Sequence, residues 1–265
     1  MRSEANRPVD DDTIRNYRAT VAYDGTSYHG FQWQPEQATV QGELTRAAKR
    51  ITRENVSVIG AGRTDAGVHA LGQVISFRSG WRHSVEDLER AVNAVLPEDI
   101  AVRELREVAK DFHARFCACQ RAYVYSVYDS DARQPLLDRY ALHAAGDLDV
   151  EAMRTAAGQV IGRRDFASLG QSPSGRGTVR EVFGARWVIE PDPIWSAHRV
   201  LRFYVTANAF LRGMVRRLVG SLLEVGRGHW SVAEFAEMVQ SRDIARAAPP
   251  AAARGLCLLR VDYDG

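Results

Sequence analysis

The chain has 265 residues, 45% hydrophobic and 26% charged, enough for one large domain or two moderate ones with a real core. A formal charge of +2 does not by itself announce a nucleic-acid binder. No run approaches the ~20 apolar residues that span a bilayer, and the first residues carry no apolar signal region, so a cytosolic protein with no membrane contact is expected.

Residues Met1 to Asn16 are charged and aperiodic, which predicts a flexible tail. Tyr17 to Tyr23 alternates as a first strand. It leads into Asp24 to Gln34, a loop dense in glycine and aromatics. Tyr28, Phe31 and Trp33 there have two readings: stacking on nucleic-acid bases, or anchoring the loop to the core. Thr39 is a candidate N-cap for a helix to Ile51, with Val40, Leu44, Ala47, Ala48 and Ile51 on one face. Two apolar runs, Asn55 to Ile59 and Gln73 to Phe77, read as strands around a glycine-rich loop. Ser84, with Asp87 three residues on, opens a helix over Val85 to Val95 that stops before Pro97. Ile100 to Val108 is a further strand. The order strand-helix-strand-strand-helix-strand is that of a ferredoxin-like unit.

The plan then repeats. Cys117 to Tyr128 is a long strand, Leu148 to Ile161 a helix, and Gln171 to Thr178 a segment of mobile-loop composition. Val179 to Ile189 and Arg199 to Ala207 are strands. Phe210 to Val225 is a helix striped by Leu211, Val215, Leu218, Val219 and Leu222. Ser231 to Ser241 caps and forms a last helix before a closing strand, Leu256 to Val261. The expected fold class is α+β, two ferredoxin-like halves side by side with a mainly antiparallel sheet. The expected division is a tail (1–16), an N-terminal half (17–112) and a C-terminal half (113–265). Cys117, Cys119 and Cys257 are too few and badly spaced for a disulfide framework. His113 with Cys117 and Cys119 lacks a fourth ligand, so no metal is expected. All basic residues but Lys49 and Lys110 are arginines, which suits phosphate binding but equally a GC-rich genome.

The chemistry concentrates in Ile59-Gly-Ala-Gly-Arg-Thr-Asp-Ala-Gly-Val-His69. Gly60, Gly62 and Gly67 permit backbone conformations closed to other residues, and Arg63 and Asp65 form one charged pair in the middle. Asp65 could be a turn aspartate bonding its own backbone. A phosphate loop would need a Lys-Ser/Thr pair after its second glycine, and none follows. A dinucleotide fingerprint would open a helix, whereas a strand pattern follows here. The remaining reading is a carboxylate nucleophile kept ionised by a neighbouring arginine.

Gly62-Arg-Thr-Asp-Ala-Gly-Val-His-Ala70 resembles the active-site signature of the tRNA pseudouridine synthase A family. Further segments match that family in order: Tyr23-Asp-Gly25, Gly30-Phe-Gln32, Phe112-His-Ala-Arg115, Arg121-Ala-Tyr-Val-Tyr125, Asp165-Phe-Ala-Ser168 and the helix Asn208-Ala-Phe-Leu-Arg-Gly-Met-Val-Arg216. Ala252 stands where many members have proline before the terminal Gly-Leu, here Gly255-Leu256. The resemblance implies a pseudouridine synthase fold and isomerisation of uridine to pseudouridine, a reaction that gains no atoms and calls for no cofactor. It implies tRNA as partner, at positions 38–40 of the anticodon stem-loop, and a homodimer. It implies Asp65 as the catalytic residue, Tyr123 against the target uracil, and Arg216 as partner of Asp65. Arg63 is the candidate to fill the space left by a flipped base. His69 is assigned no catalytic role.

Two other classes compete. A non-catalytic RNA-binding module on ferredoxin-like sheets would show paired aromatics in an RNP pattern, which is missing, and would leave the Asp65 loop unexplained. A glycoside or nucleoside hydrolase would need a second acid near Asp65, where the matched segments offer arginines and a tyrosine.

Overall fold

In the computed structural model, residues 13–172, 175, 177–191 and 199–264 are described, and ten strands among them join in one sheet. The first half supplies β1 (Arg15–Tyr23), α1 (Val40–Thr52), β2 (Ile59–Gly60), β3 (His69–Ser79), α2 (Val85–Asn93) and β4 (Ile100–Val108). The second supplies β5 (Ala118–Asp129), β6 (Leu142–His143), α3 (Val150–Gly158), β7 (Gly162–Asp165) and β8 (Val179–Pro191). It continues with β9 (Arg199–Ala207), α4 (Met214–Gly226), α5 (Val232–Gln240) and β10 (Leu256–Tyr263). The strand order is β4-β1-β3-β10-β5-β9-β8-β7, with β2 beside β3 and β6 beside β5. Pairing is antiparallel except between β10 and β3 and between β6 and β5. This is the expected α+β class. The last strand, β10, lies between β3 and β5 and joins the strands of both halves into one sheet.

One sheet face carries the helices. Tyr17, Ala19, Val21 and Tyr23 of β1 are buried at alternate positions, as the period of a strand demands. Leu44 and Ala48 of α1, Val92 of α2, Ile75 and Phe77 of β3 and Val102 of β4 surround one small void, so both helices rest on this part of the sheet. Farther along the sheet α3 packs on α4, α5 and β8, and Leu201, Phe203, Val205 and Ala207 of β9 are buried. Three sequence-readable caps form. Thr39, Ser84 and Ser231 each accept a backbone N–H of their helix, and Ser231 with Glu234 completes a capping box.

Several boundaries differ from the alternation pattern, for reasons of partner supply. Residues 1–12 of the predicted tail and residues 173, 174 and 176 of the predicted mobile loop lie outside the described residues. β1 starts two residues early, because buried Asn16 donates to Ala109 O and Phe112 O at 2.9 Å each. The strand expected over Asn55 to Ile59 shrinks to Ile59–Gly60. Val56 and Val58 are buried, but Val58 O accepts from Gln41 Nε2 at 2.7 Å rather than from a neighbouring strand. β3 begins at His69, four residues early, since His69 and Ala70 pair with Cys257 and Leu258. Helix α4 starts at Met214, not Phe210. Its N-cap Gly213 has a left-handed φ of +72°, which breaks the helix there.

Candidate active site

Asp65 sits in the loop joining β2 to β3, and backbone bonds hold that loop on several sides. Ala61 N–H donates to Val74 O at 2.8 Å, and Phe31 N–H donates to Thr64 O at 3.1 Å. Gly67 N–H donates to Tyr28 O at 3.3 Å, and Val68 N–H closes onto Asp65 O at 3.1 Å. The Tyr23 hydroxyl and Thr64 Oγ1 lie 2.8 Å apart, and Gln73 Nε2 donates to Gly62 O at 3.0 Å. Thr64 is therefore buried, while Arg63 is exposed and Asp65 half-buried. The three glycines do not share one reason, as the sequence reading expects. Only Gly67 has a positive φ, +75°. Gly60 is a packing glycine, since a Cβ there would lie 2.3 Å from the Phe31 ring. Gly62 meets nothing within 4 Å. The aromatics of the preceding loop divide likewise. Tyr28 and Phe31 are buried anchors, the Tyr28 hydroxyl donating to Asp99 at 2.6 Å, while Trp33 is exposed.

Arg216, in the first turn of α4, reaches this loop. Its Nη1 donates to Asp65 Oδ2 at 3.2 Å and its Nε to Ala251 O at 2.8 Å. Ala251 N–H returns a bond to Arg216 O at 2.9 Å. The Asp65 side chain is 37% exposed and that of Arg216 21%. Water screens such a pair, so it contributes only about 0–1 kcal/mol to stability. Its consequence is orientation: Arg216 holds one oxygen of the Asp65 carboxylate.

Tyr123 lies in β5 opposite Val205 and Leu258, on the helix-bearing face. Its ring stands edge-on to Phe210 at 5.2 Å. Tyr123 is buried, and its hydroxyl makes no hydrogen bond among the described residues. Burial pushes the Tyr123 hydroxyl pKa well above its ordinary value; the charge of Arg121 opposes this and that of Asp65 adds to it.

A family model described as tRNA pseudouridine synthase matches the chain over residues 19–117 and 156–264. A protein named tRNA pseudouridine synthase A from Chloroflexus aurantiacus is 44% identical over 251 residues, 94% of this chain and 89% of its own length. Proteins of that name from Roseiflexus castenholzii (43%, covering 94% and 91%) and Moorella thermoacetica (44%, covering 93% and 98%) are similar to it as well. The chain belongs to the tRNA pseudouridine synthase family. Among solved structures, an H/ACA ribonucleoprotein bound to a substrate RNA containing 2′-deoxyuridine is 14% identical with a TM-score of 0.37, covering 78% of this chain and 44% of that one, too distant to carry weight.

In this pseudouridine synthase chain, Asp65 pairs with Arg216 and lies near enough to Tyr123 for its charge to act on that hydroxyl, while exposed Arg63 makes no hydrogen bond or ion pair among the described residues. Arg121 escapes that reading, although it stands two residues before Tyr123 and so shares its face. Its Nη2 donates to Ala61 O at 3.1 Å and Arg115 O at 3.0 Å, its Nη1 to Ala118 O at 3.0 Å and Asn208 O at 2.8 Å. One guanidinium thus clasps the root of the Asp65 loop to the segments on both sides of β5. Asp24 makes a second clasp. It accepts from Arg139 Nε at 2.9 Å and the Tyr140 hydroxyl at 3.0 Å, joining β1's exit to the C-terminal half. Burial alone would raise the Asp24 pKa, but hydrogen bonds from Thr26, Arg139 and Tyr140 outweigh it and hold the carboxyl well below its ordinary value. His69 is buried beside it. Gly25 N–H donates to His69 Nδ1 at 3.1 Å, so that nitrogen carries no proton, and its equal distance to Asp24 Oδ1 is a close approach rather than a salt bridge. Burial lowers the His69 pKa against the pull of Asp24, consistent with a neutral ring.

Among the described residues no group of His, Cys, Asp and Glu could hold a metal ion, and no helix is long and apolar enough to cross a membrane.

Proposed function

We propose that this protein isomerises uridine to pseudouridine in the anticodon stem-loop of tRNA, with Asp65 as the essential group. The observation that carries this reading is the ion pair of Asp65 with Arg216, 151 residues apart, near the unbonded hydroxyl of Tyr123 in a chain of this family. The C1′–N1 bond of uridine breaks, the ring turns, C1′ bonds to C5, and the C5 proton leaves. Asp65 attacks the sugar, adds to the base or removes a ribose proton; each role needs the carboxylate that Arg216 holds. The Tyr123 ring packs against the uracil, and its hydroxyl relays the proton at C5. Exposed and unpartnered, Arg63 occupies the stack vacated by the flipped nucleotide. The chemistry uses no cofactor. The halves 17–112 and 113–265 meet at this site, and the protein works in the cytosol as a homodimer.

The test is tRNA tritiated at uracil C5, incubated with wild type and with Asp65→Asn. Release by wild type alone, with pseudouridine and no free uracil in the digest, is the expected result. Release by both proteins would remove Asp65 from the mechanism, and retention of unchanged tRNA would make this a binding protein. Tyr123→Phe keeps the ring and should lower kcat while leaving KM unchanged. Sedimentation of the pure protein tests the dimer.

A further inference from the structure

Phe116 is 74% exposed, yet its backbone N–H is bonded within an ordered turn. The turn that carries it is closed by Cys117 N–H donating to His113 O at 3.0 Å. His113 Nδ1 accepts from both Arg115 N–H and Phe116 N–H, at 3.1 and 3.3 Å. Ala114, fully buried, pins the turn to the sheet: its N–H donates to Ser76 Oγ at 3.2 Å and its carbonyl accepts from the Tyr263 hydroxyl at 2.7 Å. The side chains are organised as well. The His113 and Phe116 rings lie 4.3 Å apart at 35°, and the Arg115 guanidinium stands 5.8 Å from the Phe116 centroid without a carboxylate partner among the described residues. Nothing in the fold needs this ring, since its surface is left to water.

The position of the turn indicates what the ring is for. Arg121 Nη2 bonds the carbonyls of Arg115 and Ala61 together, so the turn runs beside the root of the Asp65 loop. We infer that Phe116, flanked by His113 and Arg115, is a stacking platform for an unpaired RNA base next to the flipped uridine, with Arg115 drawn to that nucleotide's phosphate. A flat ring accepts any base, and a free guanidinium adds charge complementarity. Pre-ordering of the turn removes the entropic cost of arranging the ring on binding. The inference rests on the synthase reading above and assigns that reaction a subsite that the Asp65 motif does not contain.

The experiment uses full-length protein and substrate tRNA carrying 2-aminopurine beside the target uridine. Phe116→Ala should raise KM about tenfold or more, the loss of one base–aromatic stack, with the saturated single-turnover rate and Tm unchanged. Quenching of 2-aminopurine on binding should be lost with it. Phe116→Trp should restore both, and Phe116→Leu, apolar but without a π face, should behave like Phe116→Ala. A wild-type KM in Phe116→Ala, or full rescue by leucine, overturns the platform. An inactive wild type instead sinks the synthase reading beneath it, so the two failures are told apart.

Discussion

Replacing Arg121 with methionine keeps much of the apolar stem and deletes the guanidinium fork. Four carbonyl acceptors then lose their donor. Those of Arg115 and Asn208 are bonded at the exposed end, where water replaces the arginine. Those of Ala61 and Ala118 are bonded in partly buried positions. Bonds from a charged donor contribute about 1.5–3 kcal/mol each, so the two sheltered ones set a loss of about 3–6 kcal/mol. For a chain of this size, at about 2–4 °C per kcal/mol, that is a fall in Tm of about 6–24 °C. Activity should fall further than stability explains, because the Ala61 carbonyl anchors the loop of Asp65. Small misplacements of a reacting group cost on the order of 10–100-fold in rate. Scanning calorimetry gives the first quantity, and tritium release at saturating tRNA, well below the variant's Tm, gives the second. Arg121→Lys keeps the charge but offers donors from one nitrogen, which cannot span four carbonyls, and should fall between. A methionine variant that melts within about 1 °C of wild type and turns over normally would refute the clasp.

Arg216→Met should lower kcat strongly and stability by about 1.5–3 kcal/mol, mostly from the lost bond to the Ala251 carbonyl, since the screened ion pair adds only about 0–1 kcal/mol; a Tm loss with normal kcat would reverse that assignment. Asp24 has a depressed folded-state pKa, so its stabilisation is complete above its unfolded value of about 3.9 and is lost as the pH falls toward the folded value. Urea midpoints of wild type should therefore fall more steeply than those of Asp24→Asn below about pH 4, and parallel curves would contradict the clasp. Gly60→Ala should cost about 1–3 kcal/mol by pressing on Phe31, whereas Gly62→Ala should leave the urea midpoint unchanged. A loss of activity in Gly62→Ala alone would mean that the open space at Gly62 receives RNA.

The elements that follow from neighbours a few residues apart were readable in the chain. The alternation of Tyr17, Ala19, Val21 and Tyr23, the caps at Thr39, Ser84 and Ser231, and the Gly62–Ala70 motif are of this kind, and the motif also pointed to the family. Strand alternation and cap chemistry act over one to four residues, so the sequence states them outright. What the sequence left open was partner choice over long range. Val56 and Val58 have a strand's alternation, but a glutamine from α1 claims the carbonyl that a neighbouring strand would have used. The partnership of Asp65 and Arg216 was legible only through resemblance, because spacing carries no information about two residues 151 positions apart. Arg121 was visible as the first residue of the family-like Arg121–Tyr125 segment and as sharing a face with Tyr123, but nothing in the chain gave it a role. Its four acceptors are backbone carbonyls, which every residue possesses, so only the folded chain decides which of them converge on one guanidinium.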